Sequence, residues 1–153
     1  MDLTNSIKLL KTERQLIYKV IENLSDEQLL KIPFNRKNNI LWNLGHIIVT
    51  QQVLNYTLSR LEMHIPKEIA SNFRTGSSPS VWKETPDIPE VKSLLLSLPD
   101  KLLEDYKNGL FKDFRPYKTT TGVELNSFEE AVSFNHFHEG THSGIILGLI
   151  KLL

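Results

Sequence analysis

The C-terminal residues 126–153 read NSFEEAVSFNHFHEGTHSGIILGLIKLL and carry a helical pattern along nearly their whole length. Asn126 and Ser127 are each followed three residues later by a glutamate, which gives two capping-box registers for a helix start. Apolar residues then recur at helical spacing at Phe128, Ala131, Val132, Phe134, Ile145, Leu149 and Leu152. The stretch predicts a helix that begins at Phe128 and runs nearly to the C-terminus.

Three more patterns of this kind precede it. Apolar spacing predicts helices over about residues 5–23, from Ile40 to Leu58, and from Pro89 to a stop at Asn108-Gly109, the last kinked or split by Pro99. Ser25 and Gln28 have capping-box spacing, which predicts a short helical turn before Pro33. Four long helices joined by connections of unequal length predict an all-α four-helix bundle.

The segments that connect the predicted helices do not show a long helical pattern. Residues 61–89 contain four prolines, a glycine and several serines, and they predict a long ordered loop between helices 2 and 3. Residues 117–125, YKTTTGVEL, predict a small hairpin or extended turn. The chain has 153 residues and 17.6 kDa, the size of one domain, so residues 1–153 are interpreted as a single domain.

Composition excludes several classes of function. Lysine and arginine together number 18, as do aspartate and glutamate, and no basic cluster predicts nucleic-acid binding. No segment has the length of a membrane span or the pattern of a signal peptide, so a cytoplasmic protein is expected. Cysteine is absent, which excludes thiolate metal ligands and a cysteine nucleophile. A metal ion would therefore be held by nitrogen and oxygen ligands.

His138-Glu139-Gly140-Thr141-His142 is the sequence with the clearest chemical pattern. Side chains four residues apart share one helix face, so the two imidazoles have the spacing of a two-point metal clamp. The string also matches H-E-x-x-H, in which the glutamate is a general base, and Glu139 is accordingly a candidate catalytic residue. A zincin needs a third ligand downstream, and SGIILGLIKLL contains none. Any third ligand must lie upstream.

His46 is the best upstream candidate because it lies in the apolar segment LWNLGHIIV, where an unpartnered imidazole would be costly to bury. His64 is eighteen residues further on, about 27 Å along a helix, and cannot reach the same ion. His136 is about 200° from His138 around the helix and faces elsewhere. The alternative is that these histidines are ordinary core residues with satisfied hydrogen bonds.

These residues also carry a resemblance to a known family. The segment ILWNLGHI around His46, the Thr-Thr-Gly turn at residues 120–122 and the ending HEGTHSGII resemble the DinB/YfiT-like superfamily over essentially the whole chain. The resemblance implies a four-helix bundle that binds a divalent metal through His46, His138 and His142. Nickel or zinc is implied most strongly, with manganese or iron as alternatives.

The resemblance also implies the kind of reaction. Family members include thiol-dependent S-transferases, isomerases and metal-dependent hydrolases, so the chain is expected to be a hydrolase or thiol S-transferase acting on a small molecule. Three neutral histidines leave a coordination position open, as in catalytic sites. A thiol would have to come from an external low-molecular-weight compound. The alternative is a bundle that binds metal or a small ligand without turnover.

Further predictions concern residues near the proposed metal ligands. Trp42, Asn43 and Asn135 lie three or four residues from a proposed ligand and are expected beside the site. Trp42, Phe134 and Phe137 are interpreted as core residues rather than as a substrate cage. Gly140, Gly144 and Gly148 form a stripe that predicts a close backbone approach, by another helix of the bundle in preference to a second subunit. A homodimer is an expectation from the family.

Overall fold

The computed structural model describes residues 2–153, and most of them are helical, which confirms the all-α class. The helices are α1 (Thr4–Ile21), α2 (Asp26–Leu30), α3 (Ile40–Gln52), α4 (Lys67–Phe73), α5 (Ile88–Lys107) and α6 (Phe128–Ile150). A π-helical turn, Val53–Thr57, continues α3, and a 3₁₀ turn covers Pro79–Val81. Strands β1 (Tyr117–Lys118) and β2 (Glu124–Leu125) form an antiparallel hairpin in which Tyr117 faces Leu125.

Local sequence explains where the helices begin and end. Ser25 and Gln28 form the predicted capping box of α2. Asp87 accepts a hydrogen bond from the Glu90 amide at the start of α5, and Ser127 accepts one from the Glu130 amide at the start of α6. Gly109, just beyond the end of α5, has the positive φ of 69° that favours glycine after a helix.

Helix α3 lies at the centre of the molecule. It contacts α4, α5 and α6, while α1 packs against α5 and α6. Every residue of α3 except Thr50 is buried, including the polar Asn43 and His46. Since apolar residues surround α3, its polar side chains need specific partners, and these partners build the site described below.

The predicted long ordered loop between helices 2 and 3 contains a short helix, α4, that the sequence patterns did not predict. Seven residues are too few to establish a strong apolar period, and α4 is stabilised by burying Ile69 and Phe73 against α3. Gly45 of α3 is needed for this packing, because a Cβ atom there would overlap the Phe73 ring.

Helix α5 is not split at Pro99, contrary to one of the two predicted outcomes. Proline has no N–H to donate to the carbonyl four residues earlier, here that of Leu95. Arg14 Nη1 donates to the Leu95 oxygen over 3.4 Å instead. A buried side chain from α1 thus satisfies the acceptor that Pro99 leaves free.

The glycine stripe of α6 does not contact another helix. A Cβ atom on Gly140, Gly144 or Gly148 would meet no atom within 4 Å among the described residues. The prediction of a close approach within the bundle is therefore wrong. Nearby, Leu16 and Val20 of α1 and Leu147 of α6 are also exposed.

Within residues 2–153, no helix combines the length and the hydropathy needed to cross a bilayer.

Candidate metal centre

His46, His138 and His142 converge, so that one ring nitrogen from each lies within 4.8 Å of the others. His46 comes from the buried helix α3, and the other two come from successive turns of α6. The ring centroids of His138 and His142 are 4.5 Å apart, and each lies about as far from that of His46, at 5.0 and 4.8 Å. The helical spacing of the pair and the packing of α3 on α6 together produce a three-nitrogen cluster.

The ring of His46 is held in one tautomer. Its Nδ1 lies 2.7 Å from the carbonyl oxygen of Phe73, the last residue of α4. Because a carbonyl oxygen only accepts hydrogen bonds, Nδ1 carries the proton, and in the neutral ring Nε2 has a free lone pair. Trp42 stacks on the same ring with centroids 4.6 Å apart and an interplanar angle of 11°. A backbone acceptor and an aromatic face thus orient the proposed ligand.

The tautomer of His142 is fixed in the same way through Asn43. The Asn43 Nδ2 donates to the Asn39 carbonyl over 2.7 Å, which turns its Oδ1 toward His142. That oxygen lies 2.8 Å from His142 Nδ1, which must therefore donate. His142 consequently presents the lone pair of Nε2, as metal-bound histidines do when the other ring nitrogen is held by an oxygen acceptor.

His138 supplies the third nitrogen. Its Nε2 lies 3.2 Å from the Nε2 of His46. Two nitrogen lone pairs at that separation repel each other unless a proton or a cation lies between them. The Nδ1 of His138 is buried and has no hydrogen-bond partner among the described residues. A proton on His138 Nε2 would donate to the His46 lone pair, and a cation held by the three rings would take the place of that proton, because three neutral nitrogens form a suitable donor set for Zn²⁺ or Ni²⁺.

Burial keeps these rings neutral. Desolvation lowers the pKa of His46, although its hydrogen bond to Phe73 acts in the opposite direction. Desolvation, with repulsion from the other two rings, lowers the pKa of His138 to about 3. The same causes, with His46 as the repelling ring, lower the pKa of His142 to about 4. All three rings are therefore able to act as metal ligands at neutral pH.

A cavity of about 480 Å³ opens directly onto the three histidines. Its walls come from α3 and the π-helical turn that continues it, the turn after α4, the β-hairpin and α6. They are lined by aromatic and apolar side chains and by six threonines, namely Thr50, Thr75, Thr119, Thr120, Thr121 and Thr141. Phe134 and Phe137 line it too. Phe137 is 62% exposed, so its interpretation as a core residue is wrong, whereas Phe134 is partly buried and packs against the apolar cluster around Leu54. The volume is that of a small-molecule site.

The structure places the other proposed site residues in two groups. Trp42 and Asn43 touch His46 and His142, as described, but do not line the cavity. Asn135 and Glu139 lie on the interior side of α6, where Asn135 Nδ2 donates to Glu139 Oε1 over 2.9 Å. Glu139 accepts from Arg14 Nη2 over 2.7 Å, and both side chains are 0% exposed. Neither Asn135 nor Glu139 is among the residues that line the cavity.

The two remaining histidines lie outside the cluster. The Nε2 of His64 lies 3.0 Å from an Asp105 carboxylate oxygen. His136 lies between Ser6 and Glu13, at 2.9 Å from each.

Sequence reasoning missed the contribution of α4 and the turn that follows it. The Phe73 carbonyl orients His46, Arg74 lines the cavity, and Ser77 Oγ lies 3.0 Å from the Trp42 indole nitrogen, which donates to it. Ile69 and Phe73, four residues apart after Pro66, were the available indication of a short amphipathic helix. No pattern in the sequence marks a backbone carbonyl as a partner of a histidine.

Comparison with known protein families agrees with this geometry. A sequence model described as the DinB superfamily matches residues 9–146. No curated protein gives a significant match to the chain.

Proposed function

The chain belongs to the DinB superfamily, and we propose that it is a divalent-metal-dependent enzyme, a four-helix-bundle hydrolase or thiol S-transferase acting on a small molecule. His46, His138 and His142 are the proposed metal ligands. Nickel or zinc is the preferred ion, and manganese or iron are alternatives. The observation that supports the proposal best is the convergence of three neutral imidazoles on one open cavity.

The surrounding residues have defined roles in this proposal. Phe73 and Asn43 hold the Nδ1 protons of His46 and His142, and Trp42 fixes the plane of the His46 ring. A bound divalent cation would supply Lewis acidity and lower the pKa of water or of an external thiol. The aromatic side chains Phe134 and Phe137 would cover the apolar part of a substrate and reduce its contact with water.

Glu139 is a weaker candidate for the general base than its position in H-E-x-x-H indicates. A base must come within hydrogen-bond reach of the proton that it takes. The Glu139 carboxylate is buried, bound by Arg14 and Asn135, and absent from the cavity wall. We propose that it positions α6, and the double variant Arg14→Met/Glu139→Leu tests whether it also acts as the base.

Homodimer formation and a cytoplasmic location are also part of the proposal. The open glycine stripe of α6 lies beside the exposed Leu16, Val20 and Leu147, and these residues line a shallow apolar cavity of about 290 Å³ together with Gly140. A second copy of the chain would remove this surface from water.

Metal analysis of the purified protein tests the ligand set. We expect one divalent ion per wild-type chain, and an affinity more than about 100-fold lower in His46→Ala and His142→Ala, since losing a ligand costs more than losing a partner that orients one. His64→Gln is the matched control and should bind like the wild type. Circular dichroism of each variant verifies the fold. Full metal retention in either alanine variant would contradict the site.

Turnover separates the enzyme from a binding protein. Ester hydrolysis, amide hydrolysis and thiol transfer should be assayed with added zinc, nickel and manganese. Metal-dependent turnover that is lost in His142→Ala supports the enzyme. Stoichiometric metal binding without turnover over the whole panel would favour the alternative, a bundle that binds metal or a small ligand without reaction.

A further inference from the structure

Arg74 is the one formally charged residue among those that line the cavity, apart from the histidines themselves. It directly follows α4 and is exposed. Within residues 2–153, no hydrogen bond or ion pair engages its guanidinium group. A free guanidinium offers five donors in a planar fork, which suits carboxylate and phosphate groups.

The other residues that line the cavity leave the positive charge of Arg74 uncompensated. No aspartate or glutamate lines it, so nothing there neutralises Arg74. A divalent ion on the three histidines would add further positive charge. The threonine hydroxyl groups supply additional donors on the same walls. The cavity therefore favours an anionic ligand over a neutral or cationic one.

The position of Arg74 is tied to that of the proposed metal ligands. The preceding residue, Phe73, accepts the hydrogen bond from His46 Nδ1. The Arg74 carbonyl itself accepts hydrogen bonds from the Ser77 amide over 3.0 Å and from Ser77 Oγ over 2.8 Å. Ser77 Oγ in turn accepts from Trp42, which stacks on His46. These hydrogen bonds thus fix the position of the Arg74 backbone relative to the histidine cluster.

We propose that Arg74 determines specificity for a small anionic substrate, binding a carboxylate or a similar anionic group at one end of the cavity while the reacting group lies at the histidines. This inference rests on the proposed function. The expected ligand is a small molecule that carries an anionic group at one end and a metal-binding group, such as a thiol, at the other. Arg74 binds and orients in this proposal, and it transfers no proton.

A neighbouring cavity of about 690 Å³ provides the control. Val49, Val53 and Arg74 line both cavities, so Arg74 lies on the wall between them, whereas Lys67 lines only the neighbouring one. Arg74→Gln and Lys67→Gln each remove one positive charge near opposite ends of α4. If anion binding depends only on the overall positive charge of this region, both variants should weaken it. If it depends on the cavity at the histidines, only Arg74→Gln should weaken it.

The test is calorimetric titration of the zinc-loaded protein with β-mercaptopropionate and with its uncharged analogue β-mercaptopropionamide, after bound zinc has been measured. The wild type should bind the acid about tenfold more tightly than the amide, as one charge-assisted hydrogen bond provides. Arg74→Gln should bind both with similar affinity and still hold one zinc ion. Lys67→Gln should keep the wild-type preference.

The possible failures are distinguishable. Bound zinc with an equal acid-to-amide ratio in the wild type and in Arg74→Gln would overturn the role of Arg74 and leave the metal site standing. A preference lost in Lys67→Gln but kept in Arg74→Gln would also overturn it, since the anion would then lie in the neighbouring cavity. A wild-type protein unable to bind zinc, nickel or manganese would overturn the proposed function and this inference together.

Discussion

His46 donates its Nδ1 hydrogen to the carbonyl oxygen of Phe73 over 2.7 Å, so a short helix outside the four long ones sets the tautomer of a proposed metal ligand. A hydrogen bond of this kind orients a histidine and raises its basicity as a ligand. The acceptor belongs to the backbone and cannot be removed by substitution. The position of the Phe73 carbonyl can be disturbed instead through Gly45, against which the Phe73 ring packs.

Gly45→Ala is expected to disturb that contact. The added Cβ would overlap the Phe73 ring, so α4 must shift, and we expect a loss of about 1–3 kcal/mol in the free energy of unfolding. Zinc affinity should fall at least about tenfold, because His46 loses its fixed acceptor. Urea denaturation and competition with a fluorescent chelator measure the two effects.

Gly148→Ala is the matched control for this prediction. It also replaces a glycine inside a helix, but its Cβ would meet open space. We expect it to leave zinc affinity unchanged and, in the monomer, to stabilise the protein by about 0.4–1 kcal/mol. Equal effects of the two substitutions would show that the Gly45 contact does not position the site.

Asn43 is expected to control the affinity of His142 for metal. Asn43→Ala removes the oxygen that accepts from His142 Nδ1, and we expect zinc affinity to fall about 10- to 100-fold. Asn43→Asp keeps an acceptor for His142 Nδ1 but loses the hydrogen bond to the Asn39 carbonyl, so its affinity should lie between that of Asn43→Ala and that of the wild type. The same competition assay distinguishes the two variants. An affinity in Asn43→Ala equal to that of the wild type would contradict the role assigned to this hydrogen bond.

Much of this site follows from the sequence. The periodic apolar residues predicted the four long helices, and the capping residues predicted several of their first turns. The spacing of His138 and His142 placed their imidazoles on one face of α6, and the cost of burying a lone imidazole singled out His46. These inferences succeed because helix geometry and burial depend on nearby residues.

The remaining features depend on tertiary contacts. Helix α4 is too short to show a clear period and forms against α3 through Phe73. Arg14 was one polar residue in an amphipathic helix, and nothing local indicates that it is 0% exposed and bound to Glu139. The same contact holds the glutamate of H-E-x-x-H away from the cavity wall. The motif does not specify which side of α6 its glutamate occupies.

The buried carboxylate of Asp105 is expected to make stability depend on acid pH. Burial alone would raise its pKa, but hydrogen bonds from Lys101, Tyr56 and His64 outweigh burial and hold the pKa of Asp105 below its ordinary value of 3.8. Since the folded-state pKa is the lower one, this stabilisation is complete above pH 3.8 and is lost as the pH falls through the folded-state pKa.

Asp105→Asn tests this prediction. At pH 7 it should cost about 1.5–3 kcal/mol, the range for hydrogen bonds to a charged group. The difference in unfolding free energy from the wild type should shrink as the pH falls below 3.8, and it should be lost below the lower folded-state pKa, where the carboxyl of the folded wild type also becomes neutral. Urea denaturation from pH 2 to 7 measures it. A difference independent of pH would indicate that the charge of Asp105 is not what stabilises the fold.

The Arg14–Glu139 ion pair decides whether Glu139 is a base or a structural residue. Glu139→Gln leaves the fully buried Arg14 without its counter-charge and should cost about 3–5 kcal/mol, lowering Tm by roughly 10 °C. The double variant Arg14→Met/Glu139→Leu removes both charges. It should cost less than Glu139→Gln, because apolar replacements of a buried pair are often tolerated, although the Leu95 carbonyl loses a donor and Asn135 Nδ2 loses its acceptor.

The double variant then separates the two roles of Glu139, because it folds without any carboxylate at that position. We expect it to bind one metal ion and to retain metal-dependent turnover, since the wild-type carboxylate is buried away from the cavity. Metal analysis, circular dichroism and the turnover assay on the same preparation make the comparison. A folded, metal-bound double variant without turnover would instead support Glu139 as the general base and require α6 to expose it during the reaction.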